Sequence, residues 1–520
     1  MLATWMPHIG ASRRAGDGGL FDRRRIITLG HVTSRAATRP AVVILAAGEG
    51  TRMRSSTPKV LHAIAGRSML GHVIEAASGL EPEHVIVVVG HGREQVIEHL
   101  AEIAPWAIPV VQQEQRGTGH ALRVALEAMS ERNLVTSEIL VLSGDTPLLT
   151  ENTLLGLMAD AADAGRGSAA ATVLTVRLND PSGYGRVMRA ADGTVARIVE
   201  DRDASADEAA VDEINTGMYV FQTEPLRTML GRIGTNNAQG EEYLTEVVAL
   251  MCQDGLVVRA SQAGNADEVM GVNDRAQLAQ AAAALRDRIN GDWLRAGVWI
   301  LDPTSTWIDV DVDLAPDVTL LPGTCLRGPT SIATGARVGP GTTLISCEVG
   351  ERSELIHTWA ELAVIGSDCS VGPFTYLRPG TQLGDGAKAG AYVEIKNSTI
   401  GPDAKVPHLS YVGDAEVGEG TNIGAATVFV NYDGVAKHRT VIGRQVRIGS
   451  DTMLVAPVTV GDGAYTAAGS VITEDVPPGA MAVARGKQRN VPGWVARRRA
   501  GTASAEAAEQ ATTEPTGRDA

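Results

Sequence analysis

The chain has 520 residues, 44% of them hydrophobic, and a formal net charge of −15. That length favours three or four domains, and the acidic balance argues against a nucleic-acid binder, which carries a basic face. No apolar run is long enough to span a membrane. The four cysteines (Cys252, Cys325, Cys347 and Cys369) form no metal-binding spacing and fit a reduced, cytoplasmic protein.

Residues 1–40 carry seven arginines but neither hydrophobic periodicity nor the apolar core of a secretory signal, so they read as a disordered extension. From residue 41 the pattern alternates. VVILAA (42–47), HVIVVV (84–89), PVVQ (109–112) and EILVLSGD (138–145) read as strands. Helical patterns cover 68–79, 93–103 and 119–129. The alternation continues through AAATVLTVR and a helix at 241–252 to about 270. It predicts an α/β, Rossmann-like domain over 41–270, with a parallel sheet and ligands at the carboxyl ends of its strands.

The first strand runs into LAAGEGTRM (45–53). Gly48 and Gly50 let the backbone approach a ligand, and the amides that follow can cradle phosphate oxygens. An ordinary strand-to-helix turn uses the same glycines. Arg52 and Lys59 add two cations just beyond the turn, which suits a triphosphate. VQQEQRGTGHA (111–121) and SGDTP (143–147) also follow strands. Asp145 at such a strand end suits Mg2+, which takes one or two carboxylates plus phosphate oxygens. A turn or helix cap is the alternative use of that aspartate.

Residues 271–302, centred on the Ala-rich 274–296, predict a helical linker. From 303 the period changes to six. Ile365, Val371, Leu377, Leu383, Ala389 and Ile395 stand six apart, and Gly366, Gly372, Gly384 and Gly390 follow four of them. Later frames run Val406–Val412, Val417–Ile423–Phe429 and Ile442–Ile448–Leu454–Val460. Period six predicts a parallel β-helix of hexapeptide repeats over 303–495, its aliphatic positions pointing inward. NYDGVAKHR (431–439) breaks the frame, and an insertion in a solenoid maps to a loop, often on the binding face. Arg378 and Lys396 are 18 residues apart and should stack one coil apart. They suit a phosphate, or alternatively a salt bridge to Glu394. By coil count His408, in PHLSYVGDA, lies near both. Residues 496–520 predict a disordered tail.

LAAGEGTRM with PKVLH, QEQRGTGHA, GDTPLL, GYGR, VE, EINTG and EVMGVN occur in that order. Together with the hexad run they resemble the bacterial family of bifunctional N-acetylglucosamine-1-phosphate uridyltransferase/glucosamine-1-phosphate acetyltransferases, over about residues 41–495. That family makes UDP-N-acetylglucosamine for peptidoglycan and hence the cell wall. The resemblance implies a left-handed β-helix, a homotrimer, Mg2+, UTP and acetyl-CoA, and neither nucleic-acid binding nor membrane insertion. It implies that Leu45, Ala46, Gly48, Gln112, Gly117, Thr118 and Ser143 contact the nucleotide, and that Arg52 and Lys59 act on the triphosphate. Asp145 and Asn273 would hold the metal, and Gly185, Glu200 and Asn215 the sugar. Ser143 stands where many relatives carry an aromatic residue.

In the second half the resemblance makes His408 the general base. Arg378, Lys396, Tyr411, Asn422 and Lys437 would bind the amino-sugar phosphate. Asn431 and Tyr432 would bind the amino-sugar phosphate or acetyl-CoA. Ala425, Ser450, Ala468 and Arg485 would line the acetyl-CoA site, with Ser450 placed to orient the amine or to stabilise the oxyanion and Trp494 to pack on the cofactor of a neighbouring chain. Two other readings stand beside this one: a monofunctional nucleotidyltransferase with an oligomerising tail, and a non-catalytic nucleotide-sugar sensor.

Overall fold

The computed structural model describes residues 39–163 and 169–513. The arginine-rich stretch expected to be disordered falls, up to residue 38, outside the described residues. Arg39 is already tethered, through Nη2 to Glu81 at 2.8 Å.

The N-terminal unit contains β1 (Ala41–Ala46), the small hairpin β2 (Ala63–Ile64) and β3 (Arg67–Ser68), and α1 (Met69–Ser78). Then follow β4 (His84–Val89), α2 (Arg93–Ile103), β5 (Ile108–Val111), α3 (Thr118–Glu131), β6 (Glu138–Ser143) and α4 (Glu151–Ala162). β7 (Ala171–Arg177), β8 (Arg186–Arg189), β9 (Val195–Val199), α5 (Ala206–Ala209) and β10 (Glu213–Gln222) come next. The unit closes with α6 (Thr223–Leu230), α7 (Thr245–Gln253) and β11 (Val258–Gln262). Successive side chains of a strand point to opposite faces. Val42 and Ile44 therefore enter one core with Val85, Val87, Leu140 and Leu142. Val43 enters the other, with Ile86, Val88, Ile139 and Val141. Helices cover both faces, which is why these strands are continuous apolar runs.

The main strand order is β11-β7-β10-β6-β1-β4-β5. β6, β1, β4 and β5 are parallel, as their alternation with helices predicts. The sheet as a whole is mixed, which corrects the expectation of a parallel sheet throughout. β10 runs antiparallel to both β6 and β7. A parallel return needs a crossover of a dozen or more residues, usually helical. Between β7 and β10 the chain instead builds the β8–β9 ribbon and the four-residue α5. The chain leaves β1 in opposite directions toward β4 and β6, so a crevice opens beyond their carboxyl ends.

α8 (Arg275–Arg295) joins the two units. Leu285, Ile289 and Trp293 share one continuous core with Ile64 and Met69 on one side and the aliphatic stack from Ile300 to Val476 on the other. Asn290 Nδ2, buried at this seam, donates to the carbonyls of Pro303 and Thr306 at 2.8 and 3.0 Å. The hairpin turn docks on the first coil, where Val310 N donates to Ala65 O at 3.0 Å.

The second unit is a left-handed parallel β-helix with three sheets of eleven, ten and nine short strands. Tyr376 pairs with Glu394 one coil on, and Glu394 with Tyr411. Every residue of the hexad frames is at most 3% exposed. Across the insertion Val428 pairs with Met453, so the loop is extruded without breaking the ladder. After the last strand, α9 (Trp494–Arg498) and α10 (Ala503–Thr513) follow. α10 lies in the expected disordered tail: ASAEAAEQATT is rich in strong helix formers, and Ala505 is buried.

Two candidate active sites

The first site lies in the crevice beyond β1 and β6. Gly144 N donates to Leu45 O at 2.9 Å, latching the SGD turn to the LAAG loop. Ala47 O accepts from Gln115 Nε2 at 2.8 Å. Just past the loop, a 3-10 turn at Thr51–Met53 carries Arg52 and a second at Lys59–Leu61 carries Lys59. Lys59 Nζ donates to Asp145 Oδ2 and, at 3.4 Å, to Asn273 Oδ1. Arg52 Nη2 donates to the same Asn273 oxygen at 2.9 Å. The side chains of Lys59 and Asp145 are only 13% and 21% exposed. Four sequence-singled residues thus meet at one point. Gly48 has open space where a side chain would stand.

The neighbouring wall also assembles as a group. Gln112 Nε2 donates to Gly117 O at 3.2 Å and pairs with His120 Nδ1 at 2.9 Å. Thr118 Oγ1 accepts from Leu244 N at 3.1 Å. Asn215 N donates to Gly185 O at 2.8 Å, and a Cβ on Gly185 would lie 3.5 Å from Glu200 Oε2. Gly185, Glu200 and Asn215 therefore converge, across β8, β9 and β10. Asn215 Nδ2 is fixed by Tyr219 Oη at 2.7 Å. Burial pushes the Glu200 carboxyl above its ordinary range, helped by Asp203 and Asp201 and opposed by a 3.0 Å hydrogen bond from Thr245. The Ser143 hydroxyl lies against Gly217.

Sequence reasoning did not single out Tyr184 or Glu242. Burial raises the Tyr184 phenol, Asp145 adds to this and Arg52 opposes it, which puts the ring beside the cation cluster. Its signal was the GYGR motif, where only the glycine was used. Glu242 is buried and pairs with Arg116 at 2.8 Å and with Arg123, anchoring the GTG turn.

The second candidate site is drawn out along the β-helix. Arg378 and Lys396 do stack, since Leu377 pairs with Ile395 in successive coils. Arg378 Nη1 also donates to Glu394 Oε1 at 2.9 Å, the salt bridge that the spacing left open. Lys396 Nζ lies 3.6 Å from Asp414 Oδ2. Asn431, at the mouth of the insertion, is buried and donates through Nδ2 to Asp414 Oδ2 at 2.5 Å and to Tyr411 Oη at 3.4 Å. Gly413 leaves room here for the Tyr411 phenol and the Asn431 amide, which a Cβ would push aside. The insertion brings Lys437 against Lys396, whose ammonium lowers the Lys437 pKa. Tyr432 Oη donates to Gly434 O at 2.7 Å and shapes the loop. Asp414, which sequence reasoning passed over in SYVGDA, is the anion among these groups.

His408 is exposed at the end of the strand Lys405–His408. One coil on, Ala426 N donates to His408 O at 3.3 Å. Asp451 N then donates to Ala425 O at 2.7 Å, and Gly469 N to Ser450 O at 2.9 Å. His408, Ala425, Ser450 and Ala468 therefore form one column along a corner of the prism. Asn422 lies in the same sheet as His408, on the neighbouring strand, and pairs with Arg447 one coil on, while Lys396 and Tyr411 stand in the adjoining sheet. Arg485 is exposed beyond the last strand, and Arg499 stacks over Trp494 at 5.3 Å.

Comparison with known proteins adds family information. Residues 42–215 match the MobA-like NTP transferase domain, and residues 439–474 match the bacterial transferase hexapeptide (six repeats). The chain is 55% identical over 486 residues to the bifunctional protein GlmU of Streptomyces avermitilis, covering 93% of this chain and 100% of that one. It is 56% identical over 478 residues to that of Thermobifida fusca, covering 92% and 98%. It is 50% identical over 475 residues to that of Corynebacterium glutamicum, covering 91% and 97%.

Proposed function

The chain belongs to the GlmU family of bifunctional proteins, and from that premise we propose how its two sites divide two reactions. It is a glucosamine-1-phosphate N-acetyltransferase and an N-acetylglucosamine-1-phosphate uridyltransferase, and it serves UDP-N-acetylglucosamine synthesis. The observation that carries the assignment is that two separate cation clusters lie in two separate units. Arg52 and Lys59 meet Asp145 and Asn273 in the α/β crevice, and Lys396 meets Lys437 on the β-helix.

At the β-helix, Lys396, Lys437, Arg378 and Asn431 take the phosphate of glucosamine 1-phosphate. His408 removes a proton from its 2-amino group as the amine attacks the thioester carbonyl of acetyl-CoA. A histidine suits that proton transfer near neutral pH. The C–N bond forms, the C–S bond breaks, and CoA leaves as the thiol. We take the assembly to be a homotrimer, acting in the cytoplasm. Among the described residues no helix is long and apolar enough to cross a membrane.

In the crevice the phosphate of N-acetylglucosamine 1-phosphate attacks the α-phosphorus of UTP, and pyrophosphate leaves. Such a transfer rests on positioning and on charge neutralisation. Glu200, Asn215 and Gly185 orient the sugar, Arg52 and Lys59 neutralise the triphosphate, and the LAAG loop amides hold its oxygens. The donor set fits a divalent cation: Lys59 Nζ reaches both Asp145 Oδ2 and Asn273 Oδ1, so the two oxygens face one point. One carboxylate and one amide, with phosphate oxygens completing the shell, favour Mg2+. When bound, that ion neutralises charge on the reacting phosphates.

The test is a coupled assay of the full chain with glucosamine 1-phosphate, acetyl-CoA, UTP and Mg2+. The reading predicts CoA, pyrophosphate and UDP-N-acetylglucosamine in equal amounts. CoA release without nucleotide sugar, or the reverse, contradicts it.

A further inference from the structure

We propose that Asp414 is a positioning residue of acetyl transfer: its carboxylate holds Lys396, Asn431 and the Lys437 loop in the arrangement that receives the phosphate of the amino sugar. This deepens the reading of the β-helix site given above and rests on it.

Two stretches of chain, residues 396–397 and the insertion 431–439, reach this one carboxylate. From the coil before, Lys396 Nζ lies 3.6 Å from Oδ2, and Asn397 Nδ2 donates to Oδ1 at 2.7 Å. From the insertion, Asn431 Nδ2 donates to Oδ2 at 2.5 Å, and Lys437 adds its charge. The Asp414 side chain is 13% exposed, so these contacts act in a partly desolvated setting, where charge-assisted hydrogen bonds are strong. Burial works to raise the carboxyl, but Asn397, Asn431, Lys396 and Lys437 outweigh it and hold it below the ordinary range. Asp414 is therefore an anion fixed behind two cations.

That anion resolves a conflict. Lys396 and Lys437 are neighbouring like charges, and their repulsion lowers the Lys437 pKa. Lys437 sits on an exposed loop that could swing away. Asp414 opposes both effects, as its charge raises the Lys437 pKa. The other groups facing the cluster are the Tyr411 phenol, the Arg378–Glu394 pair one coil back, the Arg439–Glu416 pair on the next strands and the His438–Asp433 pair within the loop. Each of these charges except Tyr411 is paired with a partner of its own. A carboxylate also repels a phosphate, so removing it has one favourable effect. Here the two lysines shield it and both of its oxygens are engaged, and the loss of order outweighs that gain.

Asp414 also has a left-handed backbone, φ 52°, which aspartate and asparagine tolerate well. Asp414→Asn therefore keeps the corner, removes the charge and leaves one acceptor oxygen where the carboxylate offers two, to Asn397 and Asn431. Acetyl transfer of the full chain is measured against glucosamine 1-phosphate from pH 7 to 10 in wild type, Asp414→Asn and Asp414→Glu. The expected result for Asn is a KM for the amino sugar raised about tenfold, on the scale of losing an outer-shell partner. The kcat, the KM for acetyl-CoA and uridyl transfer stay near wild type. The alkaline rise of that KM moves to lower pH, because Lys437 loses the anion that keeps it protonated. Glu restores part of the loss. An unchanged or lower KM in Asp414→Asn overturns the inference. So does an equal loss in kcat and in both KM values with a lowered melting temperature, which marks a corner residue only. A wild-type chain that releases no CoA overturns the underlying reading instead.

Discussion

Lys59 and Asp145, 86 positions apart in the chain, are ion-paired at the carboxyl edge of the N-terminal sheet, and the same ammonium reaches Asn273 Oδ1 at 3.4 Å. The pair binds the phosphate loop after β1 to the turn after β6 and to the segment entering α8. It joins three segments of the proposed uridyl-transfer site.

Replacing Asp145 by alanine removes the one carboxylate of this group. Uridyl transfer should fall at least about 100-fold, near 2.7 kcal/mol of transition-state stabilisation. Acetyl transfer, measured as CoA release, should be unchanged. Uridyl transfer at the wild-type rate would remove Asp145 from the mechanism.

Glu200 gives a pH signature. Its folded pKa is raised, mainly by burial, above the unfolded value of about 4.3. The stability linked to its neutral form is complete below the unfolded value and is lost as pH rises through the folded one. Glu200→Gln lacks this penalty. Its melting temperature should match wild type near pH 4 and exceed it at pH 8, while its KM for the sugar phosphate rises. A stability difference that shrinks with rising pH has the wrong sign for a buried carboxylate.

His408 is exposed and stands over the corner column of Ala425, Ser450 and Ala468. His408→Ala should lower kcat for acetyl transfer by about 100- to 10,000-fold, the usual range for a general base, and leave uridyl transfer intact. Retention of the kcat would assign the proton transfer elsewhere.

Gly390 packs so closely under the next coil that a Cβ would collide with the Pro407 carbonyl. Gly390→Ala should cost about 1–3 kcal/mol by overpacking and lower the β-helix melting transition and acetyl transfer. The uridyltransferase unit has its own two cores and should keep its activity, as pyrophosphate release from UTP on addition of N-acetylglucosamine 1-phosphate would register.

The β-helix was readable from sequence because Ile365, Val371, Leu377 and their successors obey one period and all face inward. The spacing of Arg378 and Lys396 likewise carried their stacking. It could not decide between a free cation and the bond to Glu394, which depends on side chains in neighbouring coils. Asp414 escaped notice for the same reason: its partners come from another coil and an extruded loop. In the first unit, β1, β4, β5 and β6 were legible as apolar runs between helices. The reversal of β10 was not, because the β8–β9 ribbon that produces it is short and its apolar residues are interrupted by Arg186, Arg189 and Arg197. Gly185, Glu200 and Asn215 converge only through that ribbon, so their motifs were visible but their contact was not.

The central claim is that two reactions run at two independent sites, and mixing two impaired variants tests it most directly. Asp145→Ala and His408→Ala are each supplied with glucosamine 1-phosphate, acetyl-CoA, UTP and Mg2+, alone and together. Each alone should form UDP-N-acetylglucosamine at least about 100-fold more slowly than wild type. The mixture should form it far faster, since N-acetylglucosamine 1-phosphate made by the first variant diffuses to the second. A near wild-type rate from either variant alone, or no gain from a mixture of two folded proteins, would contradict the account.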